Sequence, residues 1–141
     1  MSHPVQSPSS AASLSFSEYC KQLFESAAIA ITADRSVATY ANVLMEVHHK
    51  ATAEMHEKNW ESAFILFARV GYIFEHALMG KKQQLDAIPN AYKYAEVKEK
   101  VADSLSQLEK LKESPRLPLV HQRLVAESVE RQRIRERSGQ N

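Results

Sequence analysis

Glu46 and His49 stand three positions apart in the run Glu46-Val47-His48-His49. This is the Glu-x-x-His spacing with which some helical bundles present a carboxylate and an imidazole to a pair of iron ions. On a helix, Glu46, His49, Ala53 and His56 would project along one side. A di-iron centre also needs a second Glu-x-x-His and matching carboxylates from other helices. The sequence holds no second copy, and the stretch that follows brings only Glu61, Glu75 and His76. Nor does Met55-His56-Glu57-Lys58-Asn59-Trp60 match His-Glu-x-x-His, the zinc-protease pattern. These residues read as a solvated helix face, with His48 near the edge of the core.

Nucleophilic and phosphate chemistry have less to work with. Gly-x-Ser-x-Gly is absent, and no base is predicted beside Cys20, the single cysteine. Gly71, Gly80 and Gly139 are too scattered to cradle a phosphate. One thiol cannot form an internal disulfide, which suits a reducing compartment. Cys20 is expected to be a small buried side chain. The chain is therefore expected to carry no catalytic residue, no metal ligand and no cofactor. Its net charge of +1 gives no electrostatic reason to invoke nucleic acid or an anionic membrane surface.

The elements that must position any site are helical. With 141 residues, 44% of them hydrophobic and 25% charged, the chain suits one soluble domain plus a tail. Residues 1–15 are rich in Ser, Pro and Ala and are expected to be disordered. They lack the basic start and apolar run of a secretory signal. A first helix is expected over 16–31, capped by Ser17 with Glu18 in its first turn, on the apolar spacing of Phe16, Tyr19, Cys20, Leu23, Phe24, Ala27 and Ile31. A second is expected over 36–57, with Val37, Tyr40, Ala41, Leu44, Val47, His48, Ala51 and Met55 on its buried stripe.

The stretch 60–79 is apolar nearly all round, yet Glu61, Arg69 and Glu75 interrupt it and argue against a membrane span. It is expected to start at an Asn59 cap and to close at Gly80 in a left-handed conformation. Only Lys58-Asn59 separates it from the helix before, which predicts an antiparallel hairpin. A helix apolar on two sides wants two neighbours. One face, Trp60, Phe64, Phe67, Gly71, Phe74 and Leu78, is expected against the second helix. The other, Ile65, Leu66, Tyr72 and Ile73, is expected against the first or a fourth. Gly71 makes sense there if another helix approaches closely. The fourth helix is expected over 89–113, with Pro89 in its first turn and Tyr94, Val97, Val101, Leu105, Leu108 and Leu111 on one face. A last helix, about 118–138, grows poor in apolar residues and rich in Arg interleaved with Glu, which reads as solvated.

The expected architecture is an all-α antiparallel three-helix bundle over 16–113. It carries an additional N-terminal helix, and a C-terminal helical extension or linker over 114–141. Such a bundle can hold an amphipathic helix in a groove. Arg69, His76, Lys98 and Lys100 are candidates for its polar rim, and Tyr72, Tyr94 and Val101 for its apolar floor.

Tyr40 and the run Lys58-Asn59-Trp60-Glu61-Ser62-Ala63-Phe64-Ile65-Leu66-Phe67 resemble the amino-terminal domain of the AMSH (STAM-binding protein) family of endosomal deubiquitinases, related to a deubiquitinase dimerisation domain. There too a long helix is followed by an Asn-initiated helix with an Ala-Phe-Ile-Leu-Tyr/Phe core. The resemblance spans about residues 16–130, with the Ala63–Phe67 core its more specific part. It implies an MIT-like three-helix domain that docks on carboxy-terminal helices of ESCRT-III subunits. It also implies a cytoplasmic protein, peripheral at endosomes, that recruits a deubiquitinase for ubiquitin removal during multivesicular-body sorting. The family's JAMM zinc-protease constellation, Glu…His-x-His…Asp, is not in this sequence. The chain is therefore expected to be the non-catalytic amino-terminal portion of a longer enzyme. A homodimerisation module is the alternative expectation. A helical repeat would need the hairpin to recur about every 34 residues, and only one hairpin is present.

Overall fold

The computed structural model describes residues 14–139, which fold as α-helices without a strand among them. The order is α1 (Phe16–Glu25), α2 (Val37–His56), α3 (Trp60–Ile73) running on through a π-helical turn (Phe74–Leu78), α4 (Lys82–Asp86), α5 (Tyr94–Leu111) and α6 (Leu117–Gly139). Among the described residues no helix is long and apolar enough to cross a membrane.

Two buried clusters give the directions of the helices. Tyr40, Ala41 and Leu44 from the start of α2 meet Ile73, Phe74 and Leu78 from the end of the α3 segment, together with Val97 from the start of α5. Ala51 from the end of α2 meets Ala63, Phe64 and Phe67 from the start of α3, together with Leu108 and Leu111 from the end of α5. So α2 and α5 point the same way and α3 runs against both, an up-down-up bundle. Helix α1 lies along α3 on another side, with Tyr19 beside Glu61 and Ala27 beside Arg69. The start of α6 closes the first cluster through Leu117, Val120 and Leu124.

Helix α3 is the central element, in contact with α1, α2, α5 and α6. Its expected second face is less covered than the first: Ile73 is buried, whereas Ile65, Leu66 and Tyr72 are half-buried. Gly71 does not mark a close approach. A Cβ built there meets nothing within 4 Å, so its reason is not tight packing. Gly80 does take the left-handed backbone, φ 77°, just past the π turn, where Met79 N–H reaches back to the Phe74 carbonyl at 2.8 Å.

Several expected boundaries move. Ser15, not Ser17, caps α1: its Oγ accepts the Glu18 N–H at 3.2 Å and donates to the Glu18 carboxylate at 2.9 Å. The cap stands two residues before the expected Ser17, and the Ser15-x-x-Glu18 spacing brings the first-turn carboxylate onto the cap's hydroxyl. Residues 1–13 of the expected disordered segment lie outside the described residues, while Leu14 and Ser15 belong to the fold. Helix α1 stops at Glu25 rather than near 31. Ala27 and Ala28 N–H turn back to the carbonyls of Phe24 and Glu25, three residues away, and tighten the chain out of the helix. Ile29 and Ile31, which looked helical, instead pack as loop residues on the second cluster.

Asn59 holds the N-cap position of α3 without capping it. Its Nδ2 donates to Glu54 at 2.7 Å, and Lys58 before it takes φ 62° to make the turn. Helix α5 begins at Tyr94, five residues after Pro89. The short α4 already ends before Pro89, and a turn through Asn90 at φ 62° takes up the chain between them. The Asp86 carboxylate of α4 then accepts the Tyr94 N–H at 2.8 Å, and Glu96 accepts the Lys93 N–H at 3.1 Å.

Candidate interaction site

The expected rim and floor residues do not form one surface. Arg69 is occupied by the fold: its Nε donates to the Ala27 carbonyl at 3.1 Å and its Nη2 to the Ser26 carbonyl at 3.2 Å. Both carbonyls lie just past Glu25, the last helical residue, so a side chain from α3 holds the chain where it leaves α1. Tyr72 is half-buried, belongs to neither buried cluster, and lays its ring on the exposed His76, centroids 4.2 Å apart. Tyr94 packs on the second cluster, 5.6 Å from the Phe74 ring, and its hydroxyl accepts the Gly80 N–H at 3.4 Å. Val101 also packs on that cluster. Lys98, one turn before it on α5, is exposed. Arg69, Tyr72 and His76 thus follow one stripe of the α3 segment, and Tyr94, Lys98 and Val101 follow another on α5.

The Glu-x-x-His residues of α2 divide in a similar way. Glu46, His49 and His56 are exposed, while His48 turns inward. Its Nε2 lies 2.7 Å from Asp103 Oδ2 on α5, and its ring stands edge-on to Phe67 at 5.8 Å. Among the described residues no three His, Cys, Asp or Glu side chains gather as a metal could use them.

A concavity opens between α1 and the end of α5. It measures about 400 Å³, with Phe64 of α3 in its lining. Phe16, Cys20 and Phe24 line it from α1, and Lys21 and Lys112 supply cationic groups. Phe24 is 56% exposed although it lies on the apolar stripe of its helix. The signal for this cleft was in the sequence: Leu23 and Phe24 are adjacent, so the α1 stripe is wider than one neighbouring helix can cover. Leu105, one of the apolar residues expected on the inner face of α5, is also 56% exposed. It lies two turns before Lys112 and so continues the same side of α5.

The walls of the cleft are fixed by buried bonds. Tyr19 is 1% exposed, and its hydroxyl donates to the Glu61 carboxylate, which pins α1 to α3. Burial and then that bond hold the phenol far above its usual titration range. His121 of α6 sits over the same end of α1, with its Nε2 2.8 Å from the Leu14 carbonyl and its ring 5.3 Å from that of Tyr19. Burial pushes the Cys20 thiol up, and the nearby Lys112 charge only partly offsets it, so the group stays a neutral thiol. The cleft therefore offers apolar surface and lysine charge without an activated nucleophile. Comparison with family models, with curated proteins and with solved structures finds no match to this chain.

Proposed function

We propose that this chain is a non-catalytic protein-interaction module whose α1–α5 cleft receives an amphipathic helix. The observation that carries the reading is Phe24, an aromatic side chain left 56% exposed on the wall of a cleft of about 400 Å³. An apolar lining flanked by Lys21 and Lys112 fits a helix with an apolar stripe and acidic flanks. The resemblance of Lys58–Phe67 to the AMSH amino-terminal domain supplies the class of partner, the carboxy-terminal helix of an ESCRT-III subunit. On that reading the module brings a deubiquitinase of the JAMM zinc type to endosomes for ubiquitin removal during multivesicular-body sorting.

The experiment is a titration of labelled ESCRT-III tail peptides with the chain and with Phe24→Asp, followed by fluorescence anisotropy. Saturable binding to at least one tail is expected, lost in the variant. A panel that stays unbound into the high micromolar range overturns the reading.

Homodimerisation is the second reading, favoured by α6. Beyond Leu124 this helix leaves the bundle and exposes Val125, Val129 and Ile134. Val125 and Val129, one turn apart, make a short apolar strip that a second copy would cover, whereas Ile134 lies on the opposite side of the helix. Sedimentation at a mass near twice 15.9 kDa would support it, and a monomer at all concentrations would exclude it.

A further inference from the structure

Phe16, Cys20 and Phe24 follow one another four positions apart along the α1 wall of the cleft and span about 12 Å, a little over two helical turns. Tyr19 lies beside Glu61 and Ala27 beside Arg69, so α1 runs with α3 and therefore against α5. The N-terminal half of α1 thus meets the C-terminal end of α5. Lys112, just past Leu111, brings its charge near Cys20 there. Lys21 adds a second ammonium from α1, on a side chain that leans toward the start of its helix. The other end is apolar: Phe24 on α1 and Leu105 on α5 are each 56% exposed. Leu105 lies about 10 Å back from Lys112 along α5. The cationic end is also closed. From Lys112 the chain passes through residues 113–116 into α6, and His121 of α6 packs on Phe16 with 5.8 Å between the rings. We infer that the cleft reads the end of its partner: it takes the last two turns of a chain that finishes as an amphipathic helix, with the terminal carboxylate at Lys21 and Lys112 and an apolar residue about seven positions earlier against Phe24 and Leu105.

This placement rests on the α1–α5 docking reading and specifies its occupant. The C-terminus of a helix presents unpaired carbonyls and the negative end of the helix dipole, and a free α-carboxylate adds a full charge. Two ammonium groups at one end of the cleft suit that terminus. A helix lying the other way would set its positive end against them. Carboxylates occur in the opposite sense: Glu109 lies between Lys112 and Leu105 along α5, and Glu25 adjoins Phe24. They stand toward the N-terminal side of the partner helix, where negative charge is favourable. Lys112 is available to a newcomer. Its pair with Glu109 is 3.6 Å long, and the two side chains are 45% and 77% exposed, so the hold is loose. A carboxylate seated over the buried Cys20 and Phe64 meets the lysine in a more shielded place and interacts more strongly. The closed end makes the same selection by shape. A helix that continued past its last apolar anchor would run into residues 113–116, whereas one that stops there fits.

The test takes the tightest-binding of the ESCRT-III tail peptides in three forms: with a free carboxylate, amidated at the C-terminus, and extended there by Gly-Ser-Gly-Ser. Affinities are measured by anisotropy against the full chain and against the double variant Lys21→Gln, Lys112→Gln. The amidated and extended forms should bind the parent chain about fivefold more weakly than the free form. The double variant should no longer distinguish free from amidated peptide. A nitroxide on either end of the free peptide then gives the direction by NMR. A label at the C-terminus should broaden amides over 17–21 and 110–113, and one at the N-terminus those over 24–26 and 104–106. Binding with equal affinity for free and amidated peptide, or with the two broadening patterns exchanged, overturns the end-reading while leaving the cleft as a docking site. Absence of binding by every tail removes the docking reading and this one with it.

Discussion

The guanidinium of Arg69 in α3 donates to the Ala27 carbonyl at 3.1 Å, across 42 residues of chain, and so terminates a helix to which it does not belong. Its second bond, to Ser26 at 3.2 Å, makes the grip two-pronged. Arg69→Ala should cost about 1.5–3 kcal/mol in urea unfolding, the usual range for bonds to a charged donor. Hydrogen exchange should rise selectively over 16–27. Arg69→Lys should recover little, because an ammonium cannot present two N–H groups in one plane. A charge change at Arg69 would thus report on α1 before it reported on any partner, whereas exposed Lys98 carries no such burden.

Phe64 and Phe24 both line the α1–α5 cleft but differ in burial, 2% against 56% exposed. Phe64→Ala should cost about 3–5 kcal/mol through the void it leaves. That is a large part of the 5–15 kcal/mol typical of a small domain. Phe24→Asp should cost about 1 kcal/mol, far less than Phe64→Ala, while removing peptide binding. Denaturant midpoints and anisotropy titrations on the two variants separate these outcomes.

Gly71 lies inside α3 with open space where a Cβ would stand. Gly71→Ala should therefore stabilise the chain by about 0.5–1 kcal/mol, the helix-propensity difference with no steric penalty against it. Thermal unfolding measures it, and a loss of stability would mean that the glycine is needed for some contact of α3.

Asp86 ends α4 and caps α5. The bond from the Tyr94 N–H, and then the one from Lys82, hold its carboxyl below the ordinary carboxylate value. A depressed folded-state value means a contribution that is complete above the unfolded value, about pH 4, and is lost as pH falls through the folded one. The parent chain should thus lose more stability between pH 5 and 3 than Asp86→Asn does. Melting curves over that interval, with amide exchange at 93–97, check the sign and the place.

Legibility from sequence followed locality. The lengths and pairing of α2 and α3 were written in apolar spacing and in a connection too short for anything except a hairpin. Gly80 announced its own left-handed backbone. The end of α1 was illegible because Ala27–Ile31 contains no breaker, and the group that stops the helix is Arg69, far along the chain. The start of α5 was misread for a similar reason: its cap is Asp86, from a short helix no periodicity revealed. Of the candidate site, apolar packing for Tyr94 and Val101 could be read from the α5 stripe. The width of the α1 stripe at Leu23 and Phe24 pointed to an uncovered side chain, but the employment of Arg69 depends on where α1 lies over α3, which no local pattern encodes.

Between Phe74 and Leu78 the backbone bonds five residues back instead of four. A turn of this kind is what remains when a helix swallows one additional amino acid without breaking. Deleting a single position there would let the coil relax to its ordinary pitch, while the packing before Ile73 kept its alignment.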